Sequence, residues 1–305
     1  MNNAIETKDL VKRYGTRCAL DGLTLNVPRF SVVGLVGANG AGKTTWMMSV
    51  AGFTHLASGT VNLLGGGPFD PDVHSGRITI LPQDSELPLE SRPLELLTHY
   101  ARLQGLSRQD AERSAATMLE AVHLGDRLHV PIRSLSHGMR KRVMIAQCFL
   151  GYPELVLLDE PLSGLDPREV SHMRNFIAQK RGSQTLVISS HNLHDIELLC
   201  THIAFIEKGR TRRFDRLETL TGHADTVIYY LEGELPEVTA LQRVVPEATL
   251  TLSPEMLTLS CRYDPAATTA VKINALLLPL LLTQCGVKRV SQGSDLETEY
   301  LKNLP

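Results

Sequence analysis

Residues 37 to 45, Gly-Ala-Asn-Gly-Ala-Gly-Lys-Thr-Thr, constrain the fold more than any other stretch of the chain. They satisfy the spacing G-x-x-x-x-G-K-[ST]. They also lie between Ser31 to Val36, which reads as a short buried strand, and a segment from about Lys43 to Ala51 that reads as a helix. Such a loop turns successive backbone N–H groups inward. Glycine is needed wherever a side chain would fill the cradle or forbid the dihedral angles, and the helix that follows points the positive end of its dipole at the same spot. Gly37, Ala38, Asn39, Gly40, Ala41, Gly42 and Thr45 are therefore candidates for holding phosphate oxygens. Lys43 reaches the β- and γ-phosphates in a loop of this kind, and the Thr44 hydroxyl binds Mg²⁺.

A second chemical feature is Leu155-Val-Leu-Leu-Asp159-Glu160, an apolar strand that delivers two carboxylates at its end. Beside a phosphate loop, Asp159 suits the shell of a Mg²⁺ ion, through water, and Glu160 suits the orientation or deprotonation of an attacking water.

The surrounding pattern is α/β. Strands are expected at Ile78 to Leu81, Leu155 to Leu158, Thr185 to Ser189 and Ile203 to Ile206, with helical segments between most of them, which argues for parallel strands. From about Arg92 to Gly151 the periodicity is helical only, over Pro93 to Leu103 and Asp110 to Val122, so an all-helical insertion is expected. From about Thr226 the texture changes again. TVIYYLEG, ATLTL and MLTLSC read as strands, Ala266 to Cys285 as a helix and VKRVSQ as a closing strand, together a small α+β appendage. The charge balance shifts near the same place: residues 1–222 carry 25 basic and 23 acidic side chains, residues 223–305 carry 6 and 10. The expected division is 1–222 and 223–305.

Composition narrows the partners. With 31 basic and 33 acidic residues no global field recruits nucleic acid or an anionic membrane. Arg140-Lys141-Arg142, with no aromatic interleaving, reads as a solvated helix face. The five cysteines form no C-x-x-C pair and fit free thiols in a reducing cytosol. The most apolar stretch, Ala275 to Leu282, is interrupted by Pro279 and is far shorter than the ~20 residues of a membrane-spanning helix. No direct membrane insertion is expected.

Leu135-Ser-His-Gly-Met-Arg-Lys-Arg142 begins its Ser136 23 residues before Asp159 and resembles the signature sequence of ATP-binding-cassette (ABC) ATPases. The other marks follow in that family's order. Tyr14 in VKRYG matches the aromatic that stacks on adenine, Gln83 in ILPQD the Q-loop glutamine, Ser163-Gly-Leu-Asp166 the D-loop, and His191 in ISSHNL the switch histidine. The resemblance covers roughly residues 4 to 222. The signature departs from the commonest form, Leu-Ser-Gly-Gly-Gln, in having His137 for the first glycine and Met139 for the glutamine.

The resemblance implies a P-loop NTPase core with a helical insertion (about 84–151) and an antiparallel β subdomain, ATP and Mg²⁺ as cofactors, and hydrolysis of ATP. It implies that Gln83 ligates Mg²⁺ or touches the water, and that His191 holds the γ-phosphate and Glu160. Ser136, His137 and Gly138 would face the nucleotide of a second ATPase subunit, identical or paralogous, and Asp166 of the D-loop would belong to the nucleotide-binding set. A separate integral membrane permease would carry the cargo, with Ser85 to Leu97 as its docking surface and the chain on the cytoplasmic face of the bacterial inner membrane. Type-2 exporters are the best match, and the ending SDLETEYLKNL resembles their accessory domain. His191-Asn-Leu-His194-Asp195 holds three potential metal ligands, but with no further cluster the switch role fits better. The second reading is a soluble ABC ATPase of cluster assembly, or a module that senses ATP without hydrolysing it.

Overall fold

The computed structural model describes residues 3–220, 225–233, 235–255, 257–293 and 296. The chain divides into two compact units, Met1–Asp215 and Arg216–Pro305. The first runs β1 (Asn3–Tyr14), β2 (Arg17–Pro28), β3 (Val32–Val36), α1 (Lys43–Val50), β4 (Ser58–Leu63), α2 (Pro71–His74), β5 (Ile78–Leu81), α3 (Pro93–Leu103), α4 (Arg108–Ala121), α5 (His137–Gln147), β6 (Leu155–Asp159), α6 (Pro167–Ala178), β7 (Thr185–Ser189), α7 (Leu193–Leu199), β8 (His202–Glu207) and β9 (Arg210–Arg216).

Its larger sheet has the order β5-β6-β7-β3-β8-β9, with parallel pairing from β5 through β8. β3, β6 and β7 are buried at every position. Strands covered on both faces have no polar side to show, so they appear in the sequence as unbroken apolar runs. β9 returns from β8 through Lys208-Gly209, both with positive φ, as a tight hairpin requires. The smaller sheet, β2-β1-β4, is antiparallel. Trp46 of α1 is fully buried in the core that both sheets share, and its Nε1 donates to Thr7 Oγ1 at 3.3 Å. The helix that begins at Lys43 is thus wedged against β1, and the loop before it is held at the carboxyl end of β3.

The insertion between β5 and β6 is helical among the described residues. Ala111, Ala115 and Leu119 of α4, spaced four apart, are fully buried. α5 differs from the expected solvated face. Lys141 and Arg142 are 6% and 5% exposed, and Arg142 pairs with Glu169 at 3.0 Å while donating to Val122 O at 2.8 Å. Long basic side chains can be buried where an acid and free carbonyls meet them, and three charges in a row do not reveal that they point in different directions around a helix.

The second unit contains α8 (Leu217–Leu220), β10 (Thr226–Glu232), α9 (Val238–Val244), β11 (Ala248–Ser253), β12 (Thr258–Tyr263), α10 (Ala270–Gln284) and β13 (Gly286–Gln292). Its sheet, β11-β12-β10-β13, is antiparallel throughout. α10 continues through Pro279 and buries Ile273, Leu277 and Leu281, one face at four-residue spacing, against Val227, Tyr229 and Leu259. Tyr229 is fully buried and its hydroxyl donates to Asn274 Oδ1 at 2.7 Å, which satisfies the one polar atom that would otherwise oppose burial. Among the described residues no helix is long and apolar enough to cross a membrane. Of SDLETEYLKNL only Leu296 is among the described residues.

Candidate functional site

The loop after β3 is shaped by glycines with no room to spare. A Cβ on Gly37 would stand 2.2 Å from Ile206 O, and one on Gly42, at φ 114°, would stand 2.8 Å from Ala19 O. The chain turns over Ala38 to Gly42 and enters α1 at Lys43. Lys43 is buried, and its ammonium donates to Gly37 O at 2.7 Å and Ala38 O at 3.3 Å. Burial lowers its pKa from the usual lysine value, and the charges of Glu160 and Asp159 pull it back part of the way. A desolvated cation held by loop carbonyls is ready to exchange them for a more negative ligand.

This loop opens on a cleft of about 570 Å³. Tyr14, Asn39, Gly40, Ala41, Gly42, Lys43, Thr44, Thr45, Gln83, Asp159, Glu160 and His191 all line it. Gly37 and Ala38 enter through their carbonyls rather than as lining residues. The main-chain donors, the lysine, the two carboxylates and the histidine come from β3, β6 and the segment after β7, adjacent strands whose carboxyl ends meet at one place. Crevices at the carboxyl ends of parallel strands are where such sheets hold ligands.

The carboxylates differ sharply. Asp159 is 2% exposed; its Oδ1 accepts a hydrogen bond from Ser189 Oγ, while Oδ2 is buried with no hydrogen-bond partner. Glu160 sits at φ 50°, in the left-handed region, and its Oε2 lies 2.9 Å from His191 Nδ1. The His191 side chain is 69% exposed against 13% for Glu160, so the imidazole covers the acid from the open side.

Ser136, His137, Gly138 and Asp166 lie elsewhere. Ser136 caps α5, its Oγ accepting from Met139 N at 3.2 Å, and Asp166 caps α6, accepting from Arg168 N and Glu169 N at 3.1 and 3.0 Å. The two caps are neighbours: a Cβ on Gly164 would come within 3.0 Å of His137 Nε2, and one on Gly138 within 3.6 Å of Leu165.

The cleft has lining that the sequence reading did not anticipate, namely Arg17 and Ala19, and Ser163 of the D-loop segment also reaches it. Arg17 is the register partner of Tyr14 across the β1–β2 hairpin, so the two side chains share a face, and its guanidinium stands 2.7 Å from where a Gly40 Cβ would be. The signal available was the two-residue turn Gly15-Thr16, which puts Arg17 opposite the aromatic. Lys12 Nζ stands 4.8 Å from the Tyr14 ring centre, a cation on the side chain proposed for base stacking.

Known proteins share this sequence and fold. The family profile described as ABC transporter matches residues 20–163. The Bacillus subtilis protein named "Uncharacterized ABC transporter ATP-binding protein YhaQ" is 32% identical over 235 residues, covering 73% of this chain and 78% of its own length. The chain belongs to the ABC transporter ATP-binding proteins. A Nod factor export ATP-binding protein I of Cupriavidus pinatubonensis is 31% identical across 98% of this chain and 90% of its own. A solved ATP-binding subunit of an ABC transporter is 28% identical, with TM-score 0.65, over 71% of this chain and 91% of that one. The protein is accordingly an ATP-binding, ATP-hydrolysing transporter subunit, an ATPase with a P-loop α/β cassette.

Proposed function

We propose that this ABC ATPase powers export through a separate integral membrane permease, acting as one of two subunits, identical or paralogous, that close head to tail on two ATP molecules at the cytoplasmic face of the membrane. The whole-length likeness to a Nod factor export ATP-binding protein supports the direction of transport. Residues 1–222 serve as the cassette and 223–305 as an accessory domain. Ser85 to Leu97, where Leu89 is 47% exposed, is the surface offered to the permease.

The observation that carries the reading is the Glu160–His191 contact inside the cleft that Lys43 and Gly40 also line. In this assignment the loop amides from Gly37 to Thr45, with Lys43, hold the phosphates and Tyr14 stacks on the base. Glu160 takes the proton of the attacking water, and His191 fixes the Glu160 carboxylate and the γ-phosphate in line. Positioning and charge neutralisation supply most of the rate in such reactions. Ser136, His137, Gly138 and Asp166 cap the partner subunit's nucleotide.

The donors present fit Mg²⁺. Asp159 Oδ2 is a buried carboxylate oxygen with no partner, and the Thr44 hydroxyl and Gln83 line the same cleft, all oxygen ligands of the hard type that Mg²⁺ takes. When bound, the ion neutralises charge on the β- and γ-phosphate oxygens.

Two substitutions test the assignment. Glu160→Gln should lower kcat at least about 100-fold while ATP still binds, and Lys43→Ala should weaken ATP binding about tenfold or more. Wild-type turnover in the first, or wild-type affinity in the second, would overturn it. For the partner, copurification from detergent-solubilised membranes should bring down an integral protein; recovery of the chain wholly in the soluble fraction, alone, would favour the soluble class.

A further inference from the structure

Ser189 ends β7 and is completely buried. Parallel register places it directly beside Asp159, the last residue of β6. A hydroxyl at a fully buried strand position must find partners, and this one finds two: it accepts from the Glu160 N–H at 2.9 Å and donates to Asp159 Oδ1. Because a serine hydroxyl carries a single proton, donation to the carboxylate fixes the sense of both bonds.

Two consequences follow for the cleft. Asp159 has one oxygen committed to Ser189, which leaves Oδ2, buried and without a partner, as the oxygen available to a ligand. Glu160 adopts φ 50°, a conformation that costs a non-glycine residue energy and persists only where the surroundings impose it. The bond from the Glu160 N–H to Ser189 holds the near side of this turn and the bond from Ser163 N to the Glu160 carbonyl, longer at 3.3 Å, the far side; the turn so held carries the Glu160 carboxylate to His191. We propose that Ser189 is a positioning residue for hydrolysis, a single hydroxyl that sets both the presentation of Asp159 and the backbone turn that delivers Glu160. The inference rests on the assignment of Glu160 as the group that activates water.

Ser189→Thr and Ser189→Val have nearly the same shape and differ in the hydroxyl. Ser189→Val should lower kcat about 30-fold with KM for ATP within about threefold, because the loss falls on positioning rather than binding. It should also weaken Mn²⁺ binding several-fold in the presence of a non-hydrolysable ATP analogue, read by electron paramagnetic resonance, since Asp159 is then free to turn. Ser189→Thr should stay within about threefold of wild type on both measures. If the valine protein does not fold, Ser189→Ala, which adds no bulk, takes its place with the same expected split. Equal activity in the threonine and valine proteins, whether high or low, overturns the inference, as does a loss confined to KM. Glu160→Gln measured alongside separates the two claims. If it is inactive and Ser189→Val is fully active, only the role of Ser189 fails; if it is active, the assignment beneath it fails.

Discussion

The cleft and the signature segment lie in the same unit and use the same kinds of group, helix N-termini, hydroxyls, a histidine and small residues, but they close differently. In the cleft, side chains from separate strands touch one another: Lys43 feels Glu160 and Asp159, His191 contacts Glu160, and Ser189 ties the Asp159 carboxylate to the Glu160 main-chain N–H. In the signature segment, Ser136 and Asp166 turn back to cap their own helices, and His137 has Gly164 for a neighbour. The first region gathers charge around an opening within one chain. The second commits its hydroxyl and carboxylate to the N-termini of its own helices. The contrast teaches that a helix N-terminus becomes a site only when something completes it, and the proposed partner subunit is what would do so.

The largest expected effect comes from filling the cradle. Gly37→Ala puts a carbon 2.2 Å from the Ile206 carbonyl, so the loop must move, and binding of a fluorescent ATP analogue should fall about 100-fold or more. Unchanged affinity would mean that the loop is not the phosphate site. Next is Ser136→Ala. If the signature works on a nucleotide held by another subunit, turnover should drop about tenfold while ATP affinity of the dilute, separated subunit is preserved. An equal loss of binding at low protein concentration would erase the distinction between the two regions.

The smallest effect belongs to the scaffold beneath both. Glu154 bridges Arg77 at 2.7 Å and Arg29 at 3.0 Å, and the Arg77 hydrogen bond holds its pKa below the usual carboxylate value. A depressed folded-state pKa contributes stability above the unfolded value, and the contribution is lost as pH falls through the folded one. Because the side chain is 40% exposed and screened, Glu154→Gln should cost no more than about 1 kcal/mol at neutral pH and close to nothing below the carboxylate range. A chemical denaturation series at both pH values would show it, and a cost that persists in acid would point to packing instead.

What the sequence disclosed follows from the same physics. β3, β6 and β7 were legible because a strand buried on both faces must be apolar throughout, and the loop after β3 was legible because its glycines have no substitute. β1 and β2 were not read as strands from their pattern. They face solvent on one side, and repeated register shifts break the alternation that would mark them, as between Thr7 and Leu10. α9 was missed because it is only seven residues long. The burial of Lys141 and Arg142 was missed because it depends on Glu169, Asp159 and the carbonyl of Val122, which are remote in sequence. Within the cleft, side chains that carry a recognised spacing were readable. Arg17 and Ser189 were not, since each matters through what a neighbouring strand sets beside it.

The cysteines, noted first for what they do not form, have a practical use. Cys148, Cys200, Cys261 and Cys285 are buried, and burial raises each thiol, that of Cys148 to about 12. Cys18 alone among the five is half-exposed, and it stands between Arg17 and Ala19, both of which line the nucleotide cleft. A thiol-reactive dye would therefore enter the natural chain at a single address beside that cleft, giving an optical reporter of nucleotide occupancy without removing any other cysteine.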